Sequence, residues 1–262
     1  MSEESQYTLK RGESGAARLE LLGEAMWPTT HDFLTRAGLC KGLRCLDMGC
    51  GVGVVSRKIA DITGHCLGVD PAPGFIELAR SAGSPEGLSF LTGDLDSFVT
   101  EELFDVVYCR YLLSHLARPR RTMRQLIEFL KPGGTLLIED IDFPFHIHHP
   151  PSLAFQRYLE LYQAVVSRNG GDACIGRELL PAARAVGLQN IDIQCVVSLH
   201  HHGASKRVAE LTLAHISESL IQAGLCSPQE LSDLLVELKR YRRDPDTQIS
   251  IAPTFQLRGS KA

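Results

Sequence analysis

The chain has 262 residues, 44% hydrophobic and 22% charged, with a formal net charge of −4 and an isoelectric point near 6.2. That composition is globular and long enough for a buried core, and it offers no excess of positive charge to nucleic acid or an anionic membrane. No apolar run approaches the ~20 residues of a membrane span. The opening MSEESQYTLKRGES lacks the apolar stretch of a secretory leader. The eight cysteines form no Cys-x-x-Cys pair and lie scattered through apolar segments, which points to reduced, mostly buried thiols in a cytoplasmic protein.

Apolar residues at helical spacing (Ala16, Leu19, Leu22, then Phe33, Leu34, Ala37) predict two helices over residues 12–38, separated at Trp27-Pro28. From Leu43 short apolar runs alternate with segments of helix length. The runs are LRCLDM (43–48), HCLGVD (65–70), LSFLTG (88–93), FDVVYC (104–109) and TLLIED (135–140); the helical segments are 54–63, 73–83 and 118–130. This alternation predicts a parallel sheet with helices on both faces. Pro132-Gly133-Gly134 should turn the chain into the fifth strand.

Beyond Ile141 the rhythm changes. Helices are expected at 152–168, 176–188, 205–223 and 228–242, a strand at 190–199, and a final strand at 248–259 interrupted by Pro253. The helices of 152–168 and 205–242 exceed the needs of a minimal sheet and are expected to cap its open end. The domain reading is a single unit, 1–262: N-terminal helices 1–40, a ligand-binding core 41–141, and cap and C-terminal strands 142–262.

The stretch LDMGCGVGVVS (46–56) joins the first strand to a helix. A glycine-rich turn there lets backbone approach a ligand, with helix N–H groups aimed at it. The Walker loop Gly-x-x-x-x-Gly-Lys-Ser/Thr is absent. In the dinucleotide fingerprint Gly-x-Gly-x-x-Gly, Gly49 and Gly51 match but Val54 takes the third position. Asp70 closes the second strand 21 residues after Gly49, where a carboxylate can accept from ribose hydroxyls. Asp94 follows the third strand, at the carboxyl edge where open α/β sheets bind ligands.

LDMGCGVG, GVDPAPGFIELAR, LTGDLDSF, FDVVYCRYLLSHL and LKPGG, in this order over residues 40–140, resemble the class I S-adenosylmethionine-dependent methyltransferases, and most nearly their small-molecule, ubiquinone/menaquinone-biosynthesis-like group. The resemblance implies an α/β, Rossmann-like, doubly wound, seven-stranded, mostly parallel sheet with an antiparallel last strand and a helical cap. It implies S-adenosylmethionine as cofactor. Gly49, Cys50 and Gly51 would line its methionine and ribose portions, Asp47 would orient the loop and amino group, and Asp70, beside Pro71, would bind the ribose. Asp94 would accept from the adenine amino group with Leu95 near the ring, the Arg110 carbonyl would meet the ammonium, and Tyr7 and Arg18 would close over the carboxylate. The expected partner is a small molecule, with no nucleic acid and no membrane, and the expected state a monomer or homodimer.

Methyl transfer from a sulfonium is an in-line displacement, so the protein must position a nucleophile, exclude water and, for a hydroxyl, handle a proton. His115, after the fourth strand, is the first candidate for that proton. Asp142, in EDIDFPFHIHHPPS (139–152), is the second. In an extended segment Asp140, Asp142, His146 and His148 would face one way as possible metal ligands, but Pro144, Pro150 and Pro151 disfavour a uniform strand, and no metal is assigned. His115 and Asp142 can equally serve structure alone. The aromatic residues of the cap (Phe143, Phe145, Phe155, Tyr158, Tyr162) suit either core packing or an apolar substrate pocket. Oxygen is the expected acceptor atom, then nitrogen or carbon. The alternatives are a cofactor-binding enzyme or sensor that transfers no methyl group, and a nicotinamide oxidoreductase, which Val54 disfavours.

Overall fold

The computed structural model describes residues 13–262. Its chain order is α1 (Glu13–Arg36), β1 (Arg44–Met48), α2 (Val54–Thr63), β2 (His65–Asp70), α3 (Pro73–Ser81), β3 (Leu88–Thr92), β4 (Phe104–Arg110), α4 (Pro119–Glu128), β5 (Leu130–Ile141), β6 (His148–His149), α5 (Leu153–Arg168), α6 (Leu179–Ala185), β7 (Gln189–Val196), β8 (Leu199–His200), α7 (Val208–Gln222), α8 (Pro228–Arg243), β9 (Gln248–Ser250) and β10 (Thr254–Ser260). Seven strands form the main sheet in the order β3-β2-β1-β4-β5-β10-β7. β10 runs antiparallel to both its neighbours, and the other pairings are parallel.

Alternation along the strands fills both faces. Cys45, Val106, Tyr108 and Leu137 pack beneath α1, α2 and α3, against Phe33, Leu34, Ile59 and Ile76. Leu46, Val107, Leu136 and Ile138 face the opposite way, onto Met123 and Leu126 of α4 and Leu179 of α6. A separate apolar cluster joins α5, α7 and α8 through Phe155, Tyr158, Leu213, Ile216, Leu231 and Leu238. The three-stranded sheet β6-β9-β8 edges this cap, and Ile249 of β9 packs into its core.

Two expectations need correction. The N-terminal segment is one helix running through Pro28, not two. Proline removes one helical hydrogen bond, but buried contacts on both flanks (Met26, Thr30, Phe33, Leu34) hold the helix in one line. The C-terminal strand is two. Only β10 joins the main sheet, while β9 lies between β6 and β8, and Pro253 falls in the break. There the Pro253 carbonyl accepts from the Asp142 amide at 2.9 Å. Among the described residues no helix is long and apolar enough to cross a membrane.

Candidate functional site

β1 delivers its chain into the glycine turn at the carboxyl edge of the sheet. The amides of Gly49 and Cys50 donate to the Val69 carbonyl at 2.8 and 3.1 Å, clasping the turn to β2. Gly49 and Gly51 hold φ of 79° and 55°, the left-handed region that glycine enters without strain. A Cβ on Gly51 would stand 3.1 Å from Leu19 of α1, so the turn meets the helix closely. Val54, in the place of the third dinucleotide glycine, packs against Gly23, whose Cβ would lie 2.7 Å from Val54 Cγ1. α1 thus lies against the segment that a dinucleotide fold keeps free for helix–strand packing.

Asp70 binds the turn from the side. Its carboxylate accepts from the Gly51 amide and from the Ala72 amide, both at 2.9 Å. Asp47 is buried behind the turn and accepts from Ser56 Oγ at 2.5 Å. Burial pushes its carboxyl up to about 6, with Ser56 and the Arg110 guanidinium acting in the opposite direction. The Cys50 thiol is raised well above its ordinary range by burial, so it contributes bulk and not a thiolate.

β4 ends at Arg110 and turns sharply at Tyr111, a non-glycine residue with φ of 54°. Such backbone costs about 1–3 kcal/mol and persists where its surroundings over-determine it. Here the Tyr111 amide donates to the Glu139 carbonyl at 2.8 Å, and its hydroxyl meets Thr254 Oγ1 at 3.0 Å. A 3-10 turn, Leu113–His115, follows. Asp140 at the end of β5 accepts from the Leu113 and Ser114 amides at 2.8 and 3.2 Å, which fixes the turn that carries His115. Burial, and then the Arg18 charge, lower the His115 pKa to about 4, so the ring is neutral at pH 7.

These elements floor a cavity bounded above by α1, α5 and α7. Of the residues singled out in the sequence, Asp47, Gly49, Cys50, Gly51 and Asp70 lie in its walls. Arg18, Arg110 and His115 do so too. Arg18 is buried, donates from Nε to Thr212 Oγ1 at 3.0 Å, and acts electrostatically on His115, Tyr158 and Tyr162. Tyr7 lies outside the described residues.

Four candidates are not brought to the walls. Pro71, Asp94 and Leu95 do not line the cavity. Asp94 Oδ1 caps its own turn by accepting from the Asp96 amide at 2.9 Å, and Leu95 packs on the core beneath the sheet. Asp142 is likewise absent from the walls, because Arg177 grips its two oxygens at 2.5 and 2.9 Å. Both of its oxygens are engaged in that ion pair. Nor do the four residues of shared parity converge. Asp140 holds amides, Asp142 holds Arg177, His146 Nδ1 meets the Phe143 carbonyl at 2.7 Å, and His148 stacks on Phe155 at 4.6 Å. Among the described residues no three histidine, cysteine or carboxylate side chains are grouped to hold a metal.

The structure adds Tyr111, Thr212, His215 and Ile251 to the walls. None carries a local sequence signal. Thr212 and His215 sit on an otherwise ordinary amphipathic helix, and the tertiary fold alone turns them inward.

The buried carboxylates give the ligand-free protein a pH dependence. Asp47 and Asp140 both titrate near 6, above their unfolded value of 3.8, so the folded state binds more protons between these limits. Their contribution to stability is complete below about pH 4 and is lost as pH rises through about 6. Each contributes a difference on the order of 3 kcal/mol. Melting temperatures measured from pH 4 to 7 should therefore fall less steeply for Asp47→Asn than for the wild type. An unchanged slope would contradict the assignment.

Residues 46–138 match the family model described as a methyltransferase domain. The ubiquinone biosynthesis O-methyltransferase of Xylella fastidiosa is 30% identical over 122 residues, covering 45% of this chain and 50% of that protein. The mitochondrial enzyme of the same description from Schizosaccharomyces pombe is 31% identical over 138 residues, 49% of either chain. The chain spans about half the length of the curated relatives it matches. Among solved structures, Haemonchus contortus phosphoethanolamine N-methyltransferase 2, in complex with phosphomonomethylethanolamine and S-adenosylhomocysteine, superposes with a TM-score of 0.60 at 19% identity, over 96% of this chain and 58% of that one. The family match runs from the middle of β1 to the middle of β5, the strands whose ends carry the glycine turn, Asp70 and Arg110, so it is this segment of the chain that is similar to a methyltransferase domain.

Proposed function

We propose that the chain transfers a methyl group from S-adenosylmethionine to a hydroxyl oxygen of a small, uncharged acceptor. The observation that carries this reading is the division of charge in the cavity. The carboxylates in its described walls, Asp47 and Asp70, both stand at the glycine turn. That end suits a ligand carrying ribose hydroxyls and an ammonium, and the glycine backbone there leaves no Cβ in its way. The far end is walled by Phe143, Tyr158, Tyr162, His146 and His215 without a carboxylate, which suits a neutral acceptor better than a protonated amine.

The bound cofactor supplies the activated methyl group. Asp70 holds the ribose end, Asp47 and Arg110 set the charge behind the turn, and the aromatic walls exclude water. His115, neutral at pH 7, accepts the hydroxyl hydrogen and orients the oxygen. Because the ring stays neutral down to about pH 4, turnover should show no histidine limb between about pH 5 and 8.

The reading takes 1–262 as a single unit, with an N-terminal segment 1–40, the cofactor core 41–141 and the cap with C-terminal strands 142–262, acting in the cytoplasm as a monomer or homodimer. It is supported by the packing of α1 on both the glycine turn and α7, and by the net charge of −4, which invites neither nucleic acid nor membrane.

The test is calorimetric titration with S-adenosylmethionine and S-adenosylhomocysteine, with NADH as control. Micromolar binding of both sulfur ligands and no heat from NADH is the expected result. Folded protein that binds neither would retire the reading. His115→Ala should leave the S-adenosylhomocysteine affinity within about twofold and lower turnover about 100-fold. An equal loss of affinity would place His115 on the cofactor and not the acceptor.

A further inference from the structure

His146 sits in an aromatic box. Its ring lies 4.5 Å from Phe143, 5.8 Å from Phe155 and 6.4 Å from Tyr158, centroid to centroid and edge-on in each case. Its Nδ1 stands 2.7 Å from the Phe143 carbonyl oxygen. A carbonyl only accepts, so Nδ1 carries the hydrogen. Burial pulls the ring down to about 4, which leaves it singly protonated at neutral pH. The proton is therefore on Nδ1, and Nε2 presents a lone pair. Among the described residues no group donates to that nitrogen, and His146 lines the cavity. The ring is fixed in tautomer by a backbone oxygen and in tilt by three aromatic rings, and its one unused polar feature can only accept.

We infer that His146 is the specificity-determining residue of the acceptor site: its Nε2 accepts a hydrogen bond from a hydroxyl of a planar aromatic acceptor seated against Phe143 and Tyr162. This rests on the methyltransferase reading and deepens it. Phe143 and Tyr162, stacked on each other with centroids 3.6 Å apart and planes 13° from parallel, both line the cavity and make this end of it aromatic. Tyr158 stands edge-on to Phe143 at 5.6 Å and closes the box. A site built around a buried acceptor rejects an isostere that lacks the donor, because the acceptor is then left unmatched. His115 would handle the reacting hydroxyl and His146 a second one, so the expected class is a dihydroxylated aromatic and not a monohydroxylated one.

The experiment uses the full chain saturated with S-adenosylhomocysteine and two probes of similar shape: catechol, which donates, and 1,2-dimethoxybenzene, which does not. Dissociation constants come from ligand-observed NMR titrations. The wild type should favour catechol by at least about tenfold. His146→Phe, which keeps the ring and loses the lone pair, should bring the ratio near one, and His146→Gln, whose amide oxygen accepts, should restore part of it. S-adenosylhomocysteine affinity should stay within about twofold throughout. A wild type without preference, or a preference that survives in His146→Phe, overturns the inference. So does a parallel loss of S-adenosylhomocysteine affinity in the variants. Should His146→Phe fail to fold, the ¹⁵N resonance of Nε2 in labelled wild type decides: catechol shifts it if the inference holds and leaves it in place if not. Failure of the wild type to bind S-adenosylhomocysteine removes the methyltransferase reading and this inference with it, whereas normal binding with no His146 effect removes the inference alone.

Discussion

Asp70→Ala should weaken S-adenosylhomocysteine binding by about 100-fold or more. The carboxylate accepts from the Gly51 and Ala72 amides on its two oxygens, so it ties the glycine turn to the start of α3 while standing at the ribose position. Hydrogen bonds to a charged group contribute about 1.5–3 kcal/mol each. Losing a ribose contact together with the order of the turn reaches ~3 kcal/mol, and every 1.4 kcal/mol is tenfold in affinity. Asp70→Asn keeps one carbonyl acceptor and should fall between the alanine variant and the wild type. Calorimetry on folded protein gives the answer. Unchanged affinity in the alanine variant would sink the assignment of the turn as the cofactor floor.

The second large effect concerns stability. Glu139 is fully buried in the fifth strand and accepts from Thr30 Oγ1 at 2.8 Å, Tyr108 Oη at 2.5 Å and Gln256 Nε2 at 2.7 Å. These donors come from α1, β4 and β10, so one carboxylate joins the N-terminal helix, the parallel half of the sheet and the antiparallel strand. Gln256 extends the network to Thr29 of α1 and Gln194 of β7. Glu139→Ala removes the shared acceptor and leaves buried donors unmatched, beside an Arg110 guanidinium that has lost a neighbouring charge. Breaking such a buried network costs about 3–5 kcal/mol. For a chain of this size that is about 10 °C in melting temperature. Glu139→Gln should recover about half. Calorimetric melting that differs from the wild type by less than about 2 °C in the alanine variant would show that the network contributes little.

The parts of the site that could be read from sequence are those set by near neighbours. Gly49 and Gly51 follow a strand directly, and Asp70 closes the next strand beside them. Strand order then brings these residues together with little further information. The same locality governs Asp94, whose oxygen is taken by an amide two residues away. The rest depended on distant partners. The pairing of Asp142 with Arg177, 35 residues downstream, is set by the fold and by no local pattern. α1 runs through Pro28 because packing on both sides outweighs one missing hydrogen bond. Thr212 and His215 enter the cavity from a helix whose pattern shows only that one side is buried. His146 stood out as a possible metal ligand, but its tautomer is set by the Phe143 carbonyl, which no spacing rule anticipates.

The cap has a consequence for engineering. The floor of the cavity is encoded before Ile141, whereas Phe143, His146, Tyr158, Tyr162 and His215 all follow it. A chimera that joins residues 13–141 to the cap of another protein of this fold would inherit the cofactor grip and exchange its acceptor preference. Side chains already cross the junction where Glu139 meets Gln256 and Tyr111 meets Thr254, and the cap helices add the hydrogen bond from Arg18 of α1 to Thr212 of α7. A donor cap without a hydroxyl at that place would leave a buried guanidinium nitrogen unmatched at the seam, so Thr212 has to travel with Arg18.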